Sequence, residues 1–134
     1  MAVVNIKGLG GAKPLHFEPI PAGKYRVQVS IPEMTTTRNK GMPMLKLKLR
    51  VDGGDHDNRA LFTQIVLPNE QNSEKANEMG MGKVAALLVA CGIPLGDSWD
   101  TADLQGKFFT AVVHRKTNSE TGQDQNEVAD FLPA

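Results

Sequence analysis

The sequence predicts a mainly β chain with a single helix. Three observations carry that reading: five short stretches in which apolar and polar residues alternate, one stretch with helical spacing, and turn-forming clusters between them. The helical stretch falls after the third strand and before the fourth. This order of three strands, a helix and two strands is that of a five-stranded OB-like Greek-key barrel, partly open, whose sheet face and two hairpin loops bind oligonucleotides. A small α+β sandwich fits the same string.

Residues 1–23 hold four Gly and three Pro with little periodicity, and read as an extended arm ending at the turn PIPAG. The barrel domain then spans 24–134. In KYRVQVSI (24–31), Tyr25, Val27, Val29 and Ile31 share one face and Lys24, Arg26, Gln28 and Ser30 the other, the period of a strand. TTTRNKGMP is polar, with Asn39, Gly41 and Pro43, and makes a hairpin end. MLKLKLRV (44–51) alternates without exception: Leu45, Leu47, Leu49 and Val51 on one face, Lys46, Lys48 and Arg50 on the other. DGGDHDN (52–58) is a turn, and RALFTQIVL (59–67) a third strand stopped by Pro68.

PNEQNSEKANEMG is polar and acidic, and helical character builds through it. MGKVAALLVAC (81–91) places Met81, Val84, Ala85 and Leu88 on one helical face, with Gly92 at the C′ position and Pro94 beyond it. LGDSWDTADLQG is a loop or short turn. KFFTAVVHR (107–115) is the fourth strand, KTNSETGQDQ a polar loop, and NEVADFL (126–132) a short fifth strand.

The 134 residues suit one domain, and the formal net charge is zero. The charge is unevenly placed. Residues 1–51 hold nine Lys or Arg against two Glu, a balance of +7, and residues 52–134 carry −7. Such a split points toward an anionic partner. Cys91 is the only cysteine, which excludes an internal disulfide and fits a reducing compartment. No apolar run is long enough to span a membrane, and the N-terminus lacks a signal-peptide core, so a cytoplasmic protein is expected.

The second strand poses the functional question, because every residue on its polar face is a cation. A register pairing Ile31 with Leu45, Val29 with Leu47 and Val27 with Leu49 keeps the apolar residues together. It sets Ser30, Gln28 and Arg26 opposite Lys46, Lys48 and Arg50, with no carboxylate among them. Solvated Lys that deters edge pairing is the plain explanation. A phosphate-tracking groove is the functional one, since single-stranded nucleic acid is held by positive charge and by aromatic side chains on which bases stack. Phe62 has the opposite parity to Leu61 and Ile65, and Phe108 adjoins Phe109, so Phe62 and Phe108 are the stacking candidates. Tyr25 belongs at the barrel edge, and Trp99 reads as a loop anchor on the core. Arg38 and Lys40 fall in the first hairpin loop, Arg115 and Lys116 in the last, where OB proteins grip their ligand.

The stretches PAGKYRVQVSIPEM, TTTRNKGMPMLKLKLRVDGGD, KANEMGMGKVAALLVACGI and LQGKFFTAVVHRK with NEVADFLP resemble a family of small tailed-phage proteins, long described as of unknown function and held to be OB-fold single-stranded DNA-binding proteins. The likeness covers roughly residues 17–134 and lies in strand, loop and glycine positions. It implies sequence-independent binding during phage replication or recombination in the cytoplasm of an infected bacterium, and contact with replication or recombination enzymes. It fixes no ligand residues and leaves the oligomeric state open. The chain ends EVADFLPA, which completes a strand, so recruitment would run through another surface such as Glu70, Glu74 and Glu78.

An enzyme is not expected. His16, His56 and His114 lie in no metal-ligand spacing and beside no nucleophile. Asp52, Asp55, His56 and Asp57 cluster in a tight turn without the EF-hand spacing. Cys91 reads as a small core residue, and GLGG (8–11) lacks the strand and helix of a phosphate loop. No cofactor is expected. The rival reading is a protein-interaction module, a phage structural or inhibitory protein with a barrel fold. Taken together, the expected DNA-binding set is Lys24, Arg26, Arg38, Lys40, Lys46, Lys48, Arg50, Phe62, Phe108, Arg115 and Lys116.

Overall fold

Alternating residues build one antiparallel sheet of five strands: β1 (Gly23–Thr36), β2 (Pro43–Val51), β3 (Ala60–Val66), β4 (Phe108–Thr117) and β5 (Asp124–Leu132). A computed structural model describes residues 1–12 and 19–134; the part of the expected arm at 13–18, with His16, lies outside the described residues. The strands lie in the order β3-β2-β1-β4-β5, so the sheet is open with β3 and β5 as its edges. One helix, α1 (Glu74–Ala90), packs on the inner face between β3 and β5. It is not long and apolar enough to cross a membrane.

The core lies between the inner sheet face and α1. Val27, Val29, Leu47, Leu49, Leu61, Ile65 and Phe109 from the strands meet Val84, Leu87 and Leu88 from the helix. Phe109 and Phe131 meet edge to face, their ring centroids 5.5 Å apart, a favoured aromatic geometry. Tyr25 and Trp99 are half-buried against this core, as their positions predict. The segment before β1 is more than an arm at its end. Ile20 is buried in the core, and Asn126 holds it by two bonds: the Ile20 N–H donates to Asn126 Oδ1 and Asn126 Nδ2 donates to the Ile20 carbonyl, both at 2.9 Å. Burying one such side chain contributes about 1.5–3 kcal/mol.

The helix ends where sequence places its stop. Gly92 at φ +73° lets its N–H reach the Val89 carbonyl while Ile93 N–H reaches Leu88, a Schellman closure. It begins earlier than the apolar spacing suggests, because Ser73 caps it by accepting from Ala76 N–H. Met81, expected on the packed face, is exposed. Gly80 takes that contact instead: a Cβ there would stand 2.5 Å from the Val66 carbonyl oxygen. The backbones approach so closely at Gly80 that the next residue turns outward. Cys91 is buried as expected, and burial, partly offset by the Lys107 charge, pushes its thiol up to about 11.

The pairing of β1 with β2 differs from the expected register. Val27 faces Val51 and Val29 faces Leu49, two residues along from the parity-matched register, and a bulge follows between Val29 and Ile31. The bulge has a visible cause. Val29 N–H donates to the Lys107 carbonyl and its own carbonyl accepts from Gly106 N–H, both at 2.8 Å, so this stretch of β1 bonds to the approach to β4. Beyond the bulge the faces exchange: Ile31 pairs with Lys48 and Glu33 with Lys46 on the outer side. Ile31 is therefore exposed, and the cationic face does carry a carboxylate.

Candidate nucleic-acid interface

The outer face of the sheet follows from the register. Phe62, Lys48 and Ile31 form one row across β3, β2 and β1; Gln64, Lys46 and Glu33 form the next. Leu61 and Ile65 take the inner face, so Phe62 stands 67 % exposed beside Lys48. Neither lysine has an ion-pair partner among the described residues.

A cleft of about 790 Å³ lies over these rows. Residues 60–65 of β3 and 125–129 of β5 border it consecutively, so both sheet edges face it. Lys46, Lys48 and Phe62 line one side, Lys116 and Gln125 at the base of the β4–β5 hairpin the other, and Lys83 of α1 also reaches it. Glu33 and Glu127 add two carboxylates, Glu127 lying 3.9 Å from the Lys116 ammonium. The arrangement offers a bare aromatic ring, several ammonium groups and amide donors in one concave space.

The remaining expected residues stand apart from this cleft. Arg38 and Lys40 are exposed at the tip of the β1–β2 hairpin, where Gly41 at φ +64° closes the turn and its N–H reaches the Thr37 carbonyl. Lys24 is exposed on the outer face, paired with Val112 of β4. Arg26 lies 2.5 Å from Asp52 and stacks over the Phe108 ring at 4.2 Å from its centroid. Phe108 points outward, but the guanidinium occupies one of its faces and the ring is half-buried. Arg50 donates to Asn58 Oδ1 and Gln28 Oε1, both at 2.8 Å. Arg115 donates to the Pro19 carbonyl at 3.3 Å.

Sequence reasoning missed Ile31, Glu33, Gln64, Lys83 and Gln125 as cleft residues. One signal was present: Pro32 cannot donate to a ladder, and proline inside a strand marks an edge or a bulge. The turn at 52–58 is closed by its own bonds, with Gly53 N–H donating to Asp57 Oδ1 at 2.7 Å. GLGG ends in a single 3₁₀ turn, Leu9–Gly11.

The chain belongs to the family described as "Protein of unknown function (DUF669)", which it matches over residues 10–134. No curated protein matches it.

Proposed function

We propose that this protein binds single-stranded DNA without sequence preference, through the cleft between the β2–β3 outer face and the β4–β5 hairpin. In this reading the sheet is a partly open OB-like Greek-key barrel. The strand order, with β1 bonded to both β2 and β4 and the two edges sharing one cleft, supports it. The biological role is protection of single strands during phage replication or recombination.

One observation carries the proposal: a bare Phe62 ring lies directly beside Lys48 and close to Lys46, in a cleft that Lys116 faces from the far side. An exposed aromatic flanked by ammonium groups suits a base and its phosphates together, and each base–aromatic stack contributes about 1–3 kcal/mol. Duplex DNA keeps its base faces inside the stack, so Phe62 discriminates for single strands. Arg38 and Lys40 extend the positive path along the hairpin, while Lys24, Arg26, Arg50 and Arg115 supply field from positions around it. Glu33 and Glu127 favour the rival reading, a protein-interaction module, because phosphates meet carboxylates unfavourably.

Fluorescence anisotropy separates the two. A labelled oligothymidylate of about 30 nucleotides exceeds the ~4–16 nucleotide span of one OB-type site. The single strand is expected to bind and the matched duplex not, with log affinity falling against log salt at about −0.7 per neutralised phosphate. No binding of either at low salt ends the DNA reading.

A further inference from the structure

The end of the sheet where the β1–β2 hairpin projects is also where the chain leaves β3 for an acidic segment. Leu67, just beyond β3, donates its N–H to the Pro43 carbonyl at 2.9 Å, and Pro43 opens β2 two residues after Gly41 of the tip. The chain then runs from Pro68 into a groove of about 650 Å³ along the solvent side of α1. Glu74, Glu78, Met81 and Gly82 follow one another along that side at helical spacing, and Pro68 and Glu70 form the opposite wall. Gly82 leaves the floor without a side chain, and Met81 is 60 % exposed.

The groove is a built feature. Asn77 accepts from Asn69 N–H at 3.1 Å and donates to the Asn69 carbonyl at 2.9 Å, fastening the wall to the helix. Among the described residues none of Glu70, Glu74 and Glu78 is in an ion pair, and neither is Arg38 or Lys40 of the tip. A basic hairpin tip and an acidic groove near the same end of the sheet are complementary in charge. A two-fold axis requires that condition: the tip of each copy enters the groove of the other, and both contacts form at once.

We propose that this chain forms a two-fold dimer in which Arg38 and Lys40 of each copy dock in the Glu70–Glu74–Glu78 groove of its partner. The zero net charge, split +7 and −7 between the two parts of the sequence, leaves two copies no overall repulsion to overcome. The same tip cannot grip DNA while docked, so the dimer holds the hairpin away from the nucleic-acid cleft.

The test is sedimentation velocity of the full chain without nucleic acid, so it stands apart from the DNA reading. A dimer is expected at low salt that weakens as salt rises. Glu74→Lys with Glu78→Lys, and separately Arg38→Glu with Lys40→Glu, should each give a monomer with an unchanged far-UV circular dichroism spectrum. All four positions are exposed, so the reversals remove no core packing. Mixed one to one, the two monomeric variants should pair, because the native tip then meets a native groove and the reversed tip meets the two reversed positions, with Glu70 alone opposing it. A wild type that stays monomeric at low salt overturns the proposal. So does a dimer that survives both double variants, or a mixture that fails to associate.

Discussion

Lys48 and Phe62, toward one end of the outer face, stand exposed side by side; Arg26 and Phe108, toward the other, lie one over the other. Both regions contain a cation, an aromatic and a nearby carboxylate. In the first the carboxylates sit across a strand or across the cleft, and the lysines remain unpaired. In the second, Asp52 holds Arg26 and Arg26 covers the ring. The difference teaches that a residue's type says less about binding than whether the fold has already satisfied it. A satisfied Arg–aromatic stack contributes to folding by about 0.5–1 kcal/mol at an exposed site. An unsatisfied pair is available to a ligand.

Three experiments bear on that contrast. The largest effect is expected from Lys46→Glu with Lys48→Glu. Two neutralised phosphates are lost, so the salt slope becomes shallower by about 1.4 and affinity for oligothymidylate falls on the order of 100-fold at low salt. Both side chains are exposed, but the change at Lys46 sets a carboxylate opposite Glu33, so stability in chemical denaturation should fall by no more than about 1 kcal/mol. An undiminished affinity would move the binding path off β2.

The paired comparison of Phe62→Ala with Phe108→Ala comes next. Phe62→Ala should cost about 1–3 kcal/mol of single-strand binding and leave stability almost untouched. Phe108→Ala should do the reverse, costing on the order of 1 kcal/mol of stability through lost packing and lost cation–π contact, with little change in binding. Titration and urea melts on the same samples decide it, and the opposite pattern breaks the contrast between the two regions.

The smallest effect belongs to Asp52→Asn. Its pair with Arg26 is partly exposed, at 54 % and 31 % for the two side chains, so the stability loss should stay within about 0.2–1 kcal/mol. Removing the carboxylate leaves Arg26 uncompensated, and affinity for the single strand should rise a few-fold at low salt. A fall in affinity would mean that Arg26 binds DNA only when Asp52 orients it.

Much of this contrast is legible in the amino-acid sequence. The opposite parity of Phe62 to Leu61 and Ile65 and the split between Phe108 and Phe109 follow from the two-residue period of a strand; the fold decided which member of each is buried. The alternation of Leu45 to Val51 likewise puts Lys46 and Lys48 outside. The covering of Phe108 by Arg26 was not legible. It depends on Arg26 and Phe108 meeting across β1 and β4 and on Asp52 returning from the turn after β2.

Sequence alone therefore determined the elements: five strands, one helix with its Gly92 stop, Cys91 in the core, and the side of the sheet each residue of β2 occupies. Those rest on local periodicity and local sterics, which neighbouring residues settle among themselves. Tertiary structure decided the register of β1, the bulge that brings Glu33 beside Lys46, the exposure of Met81, and which cations keep a free charge. Each of these turns on a contact between segments distant in the chain: Val29 with Gly106 and Lys107, Gly80 against Val66, Lys116 with Glu127. The two-residue period of a strand is equally content with any even-numbered register, so only the hydrogen bonds and close approaches of the folded chain could choose among them.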